Sequence, residues 1–519
     1  MLPFMIVDSA HAEVPDWVKS SAGWWAAGEI TDTDFAESIG FLIEEGIMQV
    51  AATGTAGQAD SEIPDWVRNN AGWWASGDIT ENDFIGGIEY LVDTGVIHVD
   101  TGLADGVVII VEESEFQKNA DAPVKEEWMR HAPAGDKIDY PGVAIDTFRD
   151  AIHVTYGSTV GGSSNVMIQT SYDMGLTWED PVRVNTDEGV ADMPHANPPY
   201  IEMGPDGELY VLYNVGYDGP EWVERGFSFG YTALFLTRSD DGGKTFTPAM
   251  MVEPETGPGG QVGALHSKTF DSMFVADDGR VYVTWLDSRG KQNDSFLPTE
   301  VKIAWSDDGG ASFEKSRTIK TKACQCCVTS GSTGTDGEVF VQYRNIVGNF
   351  GEPNIRDVVV SRSNDYGQTW NTPILVADDG FEIDNCPHST STISTDSAGN
   401  LHSAWWTQGG QSPGTYYAVS SDGGETWTDP LFLHGDGEWY PATTIKISMD
   451  ADDNPVIFWA DKTVEGGAVK YTQIVDGKST GIVDLGTGDH PWSDSRDGIT
   501  ALVWVSDGKI MMKSWHDGA

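Results

Sequence analysis

The chain has 519 residues, 39% of them hydrophobic, more than one ordinary compact core requires, so a large domain with a smaller companion is expected. Its 81 acidic against 30 basic residues leave a formal charge of -51, a surface that repels phosphate backbones and anionic lipid, so nucleic acid is not expected as a partner. No run of about 18 apolar residues occurs, which excludes a membrane-spanning helix.

The first twelve residues hold a short apolar patch followed by Ala10-His11-Ala12, the small-x-small pattern of a signal-peptidase site. Residues 1–12 therefore read as the remnant of a secretion signal without its basic start, and an extracellular or cell-surface location is expected. Residues 14–50 then return at 63–99 with a constant offset of 49, an internal duplication. It predicts a helical module over 13–50, a linker over 51–62 and a second module over 63–100.

In each copy Pro15 or Pro64 opens a first helix and Gly28 or Gly77 closes it. Thr31 and Thr80 stand at the next N-cap, with Asp34 and Asp83 three residues on, and Ile30/Phe35 and Ile79/Phe84 straddle the cap as hydrophobic staples. Gly46 and Gly95 end the second helix. The small, polar linker AATGTAGQAD suggests two independent helical hairpins on a tether. Trp17, Trp24, Trp25 and their counterparts Trp66, Trp73, Trp74 read first as the core of so small a unit; the alternative is a face that stacks on glycan. The repeat resembles a short Trp-rich module of secreted archaeal proteins, which implies a role at the cell surface.

After about residue 105 the texture changes to short strands such as ELYVLYNV, RVYVTWLD, EVFVQYRN, NLHSAWWT and NPVIFWAD, each after a Gly- or Asp-rich turn. Five stretches share one spelling: SYDMGLTW from Ser171, SDDGGKTF from Ser239, SDDGGASF from Ser306, SNDYGQTW from Ser363 and SSDGGETW from Ser420, at spacings of 68, 67, 57 and 57. In each, an aspartate (Asp173, Asp241, Asp308, Asp365, Asp422) can accept hydrogen bonds from turn amides, the glycine two residues later takes a positive φ, and the aromatic tucks beneath. Over 105–519 the sequence resembles the Asp-box (BNR) repeats of the sialidase-like β-propeller superfamily. That resemblance implies a mainly β propeller in which the Asp boxes are structural and lie away from the active face.

Innermost strands are expected near residues 142, 198, 267, 328, 389, 441 and 492. The last segment is short of strands for a blade, and GVVIIVEES at 106–114 is available to complete it by joining the two ends of the chain. Seven blades are therefore expected, with six, the sialidase number, as the alternative.

Just before the inner strands stand His195, His266, the Cys324-Cys326-Cys327 cluster, Cys386 with His388, Tyr440 and His490, positions that encircle one mouth of a propeller channel. Thiolates and imidazoles gathered there suit copper, or else zinc, in a site open to a small molecule or a redox partner, with Met193 as a further thioether donor. The alternatives are structural disulfides, as exported proteins make, and a catalytic thiol. The acidic loop SMDADDNP at 448–455 is a weak calcium candidate, because its spacing departs from the EF-hand pattern.

The resemblance also implies a glycosidase alternative acting on anionic sugars, for which sialidases use three arginines, a Tyr-Glu pair and an acid. Arg289, Arg344 and Arg356, with Tyr343, Tyr440 and Glu438, are the available residues, but the opening Arg-Ile-Pro motif of that family is absent from the first blade. A third reading is a non-catalytic propeller that binds glycan or protein at a cell surface, held there by the helical modules.

Overall fold

Strands such as Val281–Asp287 (VYVTWLD), Leu401–Thr407 (LHSAWWT) and Pro455–Asp461 (PVIFWAD) are buried along their whole length, not at alternate positions. Each is flanked by hydrogen-bonded neighbours and covered on both faces, which is why the β-branched and aromatic residues run on without a polar break. The computed structural model describes residues 16–91 in part and 106–517 except 113–136, 161–162, 193–197, 218–230, 257–261, 264–265, 289–298, 348–353, 384–388, 411, 436–443 and 465.

Seven antiparallel sheets form the blades of a β-propeller. Their inner strands begin at Lys137, Tyr200, Lys268, Ser330, Ser391, Ile445 and Asp489, each within five residues of the expected start. Every inner strand touches the next, and Asp489–Arg496 returns to Lys137–Asp146, so the ring closes. The seventh blade takes three strands from the C-terminal end and its outermost strand, Val107–Glu112, from the start of the propeller. Pairing the first and last strands of the propeller in one sheet gives the seventh blade its full four strands.

The five Asp boxes are near-identical. In the first, Ser171 Oγ donates to Asp173 Oδ1 at 2.8 Å and accepts from the Gly175 amide at 2.7 Å. Asp173 Oδ1 accepts from the Thr177 amide at 2.9 Å and Oδ2 from its hydroxyl at 2.6 Å. The same bonds recur at Asp241, Asp308, Asp365 and Asp422. Gly175, Gly243, Gly310, Gly367 and Gly424 all have φ between 81° and 93°, and Trp178 and Trp370 cap the turn by donating to the glycine carbonyl at 3.1 and 3.0 Å.

The N-terminal unit, Met1–Val108, is described by itself. Its helices Asp16–Ala26 and Asp65–Ser76 end at Gly28 and Gly77 in left-handed conformation. The Thr31 and Thr80 carbonyls accept the first bonds of the helices that follow, from Phe35 and Phe84. Asp34, Asp83, Gly46, Gly95 and Trp17 lie outside the described side chains.

The two copies are not independent hairpins, as the linker suggested. Trp25 stacks on Phe35 at 3.8 Å and Trp74 on Phe84 at 4.1 Å within one continuous core drawn from both copies. Gly23 lies against Ala75 and Gly72 against Ala26, and an added Cβ would come within 3.2 Å of the facing Cβ in each case. A unit of under 40 residues buries too little apolar surface alone, and the duplicate supplies the other half of the core. Trp24 (52%), Trp73 (51%) and Trp66 (44%) remain exposed on its surface.

Candidate functional site

The starts of the inner strands converge on one mouth of the channel. Pro198, Val328, Thr390, Thr444 and His490, from five blades, line one cavity with Lys446. His195, Met193, Cys386, His388, Tyr440 and Glu438 lie outside the described residues, as does Arg289.

The cysteines do not line this cavity, although Val328 and Thr329 beside them do. Their loop joins the outer strand Arg317–Ala323 of the third blade to the inner strand Ser330–Thr333 of the fourth. It is pinned at both ends, by the Cys324 amide on the Arg344 carbonyl at 3.0 Å and the Thr329 amide on the Phe270 carbonyl at 3.1 Å. Cys324, Cys326 and Cys327 are buried, and pack with Ile346 and Phe270. Their sulfurs lie within 4.8 Å of one another, with Cys324 Sγ 3.7 Å from that of Cys326 and 2.9 Å from that of Cys327. None of the three forms a disulfide among the described residues.

Arg356 Nη1 donates to Cys324 Sγ at 3.3 Å. Burial alone would raise the Cys324 thiol, but hydrogen bonds from Cys326 and Cys327 and the Arg356 charge outweigh it and hold this thiol well below its usual range. Burial, with the negative sulfur of Cys324 beside it, pushes Cys327 well up. Among the described residues this triad is the single cluster of three or more thiol, imidazole or carboxylate groups placed to share an ion.

Of the expected ring of mixed donors, the described residues bring together the three cysteines. His266 and His490 are not part of the thiol cluster. His490 faces the neighbouring blade and bonds to Asp139 at 3.0 Å. His490 is thus held across the seam to the first blade, whereas the cysteine loop is held to Arg344 and Phe270. In the acidic loop, Asp450 caps its own turn by accepting from the Asp452 and Asn454 amides, and the loop forms no ligand cluster.

The arginines of the glycosidase reading are turned inward. Arg344, 1% exposed, donates to Ser389 Oγ at 3.1 Å, to the Arg356 carbonyl at 2.8 Å and to the Trp406 carbonyl. Tyr343 is buried with its hydroxyl on Ser361 at 2.9 Å, and burial pushes its phenol up. Arg344 thus ties neighbouring blades together, and Arg356 is engaged with sulfur.

Deeper in, the channel holds a charged group that motif reading passed over. A space of about 330 Å³ is lined by inner-strand hydroxyls, including Ser272, Ser332, Thr392, Ser394, Ser448 and Ser493. Lys446 and Glu202 face it, as do Tyr200, Trp492 and Asp494. Lys446 Nζ lies 3.1 Å from the Trp492 ring centre and 5.1 Å from that of Tyr200. Burial brings its amine down to about 7, against the opposing pull of Glu202. Burial raises the Glu202 carboxyl to about 7, with Asp494 adding to the rise and Arg496, 3.5 Å away, opposing it. The one sequence signal is a lysine at the second position of the inner strand IKISM.

Residues 152–405 match the BNR repeat-like domain family. No curated protein matches the sequence. Among solved structures the chain is similar to a Hadza microbial sialidase (13% identity, TM-score 0.42, 68% of this chain and 73% of that one covered). It is likewise similar to an ulvan lyase of a polysaccharide lyase family (15%, 0.46, 75% and 96%) and to the α-L-arabinanase of Penicillium chrysogenum (13%, 0.43, 75% and 97%).

Proposed function

We propose that this chain, a seven-bladed sialidase-like propeller built on BNR repeats, carries a soft transition metal, copper before zinc, on Cys324, Cys326 and Cys327. The observation that carries the reading is the convergence of three buried sulfurs within 4.8 Å of one another. Metal–sulfur bonds of about 2.3 Å set sulfurs about 4 Å apart; the 3.7 Å between Cys324 and Cys326 matches that, while Cys327, 2.9 Å from Cys324, would move outward to share the ion. Thiolates favour copper(I) over harder ions. Arg356 offsets part of the negative charge that three thiolates would bring into an apolar pocket.

Burial of the sulfurs favours a closed centre, suited to electron transfer, storage or a structural role, over one that oxidises a bound substrate. Export is part of the same reading, supported by the charge of -51 and the small-x-small site near the N-terminus. Surface attachment through the helical unit is a further part, supported by the exposed Trp24, Trp66 and Trp73. The glycosidase reading is disfavoured by the inward commitment of Arg344 and Arg356.

The test is elemental analysis of protein purified without added chelator, together with titration of its thiols. Stoichiometric copper that is lost in Cys324→Ser and Cys327→Ser, with a thiolate-to-metal absorption band that disappears alongside, is the expected result. Metal-free protein with all thiols reactive after unfolding overturns it.

A further inference from the structure

We propose that Lys446 is a nucleophilic amine that takes up a small uncharged hydroxyaldehyde from the central channel as a Schiff base. The site is separate from the cysteine triad and does not depend on it.

Four observations converge. Lys446 lines both the mouth cavity and the channel, so a ligand in either space can meet it. Among the described residues its Nζ has aromatic faces beside it, Trp492 at 3.1 Å and Tyr200 at 5.1 Å, and no carboxylate within ion-pair distance. An ammonium held on ring faces gains about 0.5 to 2 kcal/mol from them, and partial burial works against it, moving the balance towards the neutral amine. That agrees with the value near 7 to which burial brings it.

Glu202 lines the same channel, and burial holds its carboxyl partly protonated near neutral pH. The walls are hydroxyl-rich, and Lys446 and Arg496 are matched by Glu202 and Asp494. Such a balance favours a polar ligand without charge, and the hydroxyls offer partners to its own.

The amine lone pair adds to the aldehyde carbon to give a carbinolamine. Nitrogen passes one proton to the oxygen, Glu202 supplies a second as the oxygen leaves as water, and the remaining iminium proton returns to the Glu202 carboxylate, so amine plus aldehyde yields imine plus water. Reduction with cyanoborohydride in the experiment fixes the product without being part of the step.

The full-length protein is treated with glycolaldehyde and cyanoborohydride at pH 7, and modification at each lysine is followed by peptide mapping. Lys446 should be modified at least about tenfold faster than the exposed lysines, in keeping with a desolvated amine. Glu202→Gln, with an unchanged melting temperature, should slow Lys446 specifically. Modification confined to exposed lysines overturns the proposal. Equal modification by glyoxylate, which is anionic, overturns the ligand class. Because the mapping is made on the unaltered chain, it does not depend on whether Lys446→Arg folds.

Discussion

Asp139 and His490 stand 351 residues apart in the chain and 3.0 Å apart across the seam between the first and seventh blades. The seam also carries Asp494 Oδ2 on the Ile145 amide at 2.8 Å and Ser514 Oγ on the Met174 carbonyl at 2.7 Å. Burial would raise Asp139, but the His490 hydrogen bond and charge outweigh it and hold the carboxyl below its usual value. Asp139→Ala should therefore destabilise the propeller by about 1–3 kcal/mol. Lys509→Ala breaks only the half-exposed pair with Glu112 at 2.8 Å and should cost less than about 1 kcal/mol. Urea midpoints at constant m-value distinguish the two, and equal effects would refute the ranking.

Acid should unfold the propeller through its depressed carboxylates. Burial would raise Asp146, yet hydrogen bonds from His153 and Arg149 bring it down to about 2, and hydrogen bonds from Thr426 and Ser420 hold Asp422 at about 2 as well. A carboxyl lowered on folding adds stability that is complete above its unfolded pKa near 4 and is lost as pH falls from there towards 2. For the fully buried Asp146 side chain this amounts to about 2 kcal/mol. Stability measured from pH 6 to pH 2 should be flat at first and then fall below about 4, with a shallower fall in Asp146→Asn. An unchanged slope in that variant would remove Asp146 from the account.

Gly175 cannot be replaced cheaply. Its φ is 93°, and an added Cβ would collide with the Met512 side chain from the seventh blade. Gly175→Ala should lower stability by about 2–4 kcal/mol, combining left-handed strain with overpacking. Gly424 has a similar φ of 82° but its nearest neighbour, Leu401, is 3.4 Å from the added carbon. Gly424→Ala should therefore cost less, and calorimetry of both variants would expose an error if the order reversed.

The shared helical core makes a clear distinction between adjacent tryptophans. Trp74→Ala opens a cavity in a core drawn from both copies and should cost about 3–5 kcal/mol. Trp73→Ala, half exposed next to it, should stay within about 0.5 kcal/mol. Deleting residues 63–100 should unfold the first copy too, read as loss of helical circular dichroism from a fragment ending at residue 62. A folded fragment would restore the picture of independent hairpins.

What the sequence determined by itself was the local and repeated part of this protein. The Asp-box turns, the helix stops at Gly28 and Gly77, the seven inner strands and the closure by residues 106–114 all rest on hydrogen bonds or pairing rules carried within a short stretch or repeated at a fixed spacing. Tertiary structure alone decided what depends on which side chain faces which neighbour. It separated His490 from the cysteines, turned Arg344 onto the carbonyls of adjacent blades, joined the helical copies into one core, and stood Lys446 on Trp492 in the channel. Such pairings join residues tens to hundreds apart, and no period or spelling in the chain records the rotation of one blade against the next that brings them together.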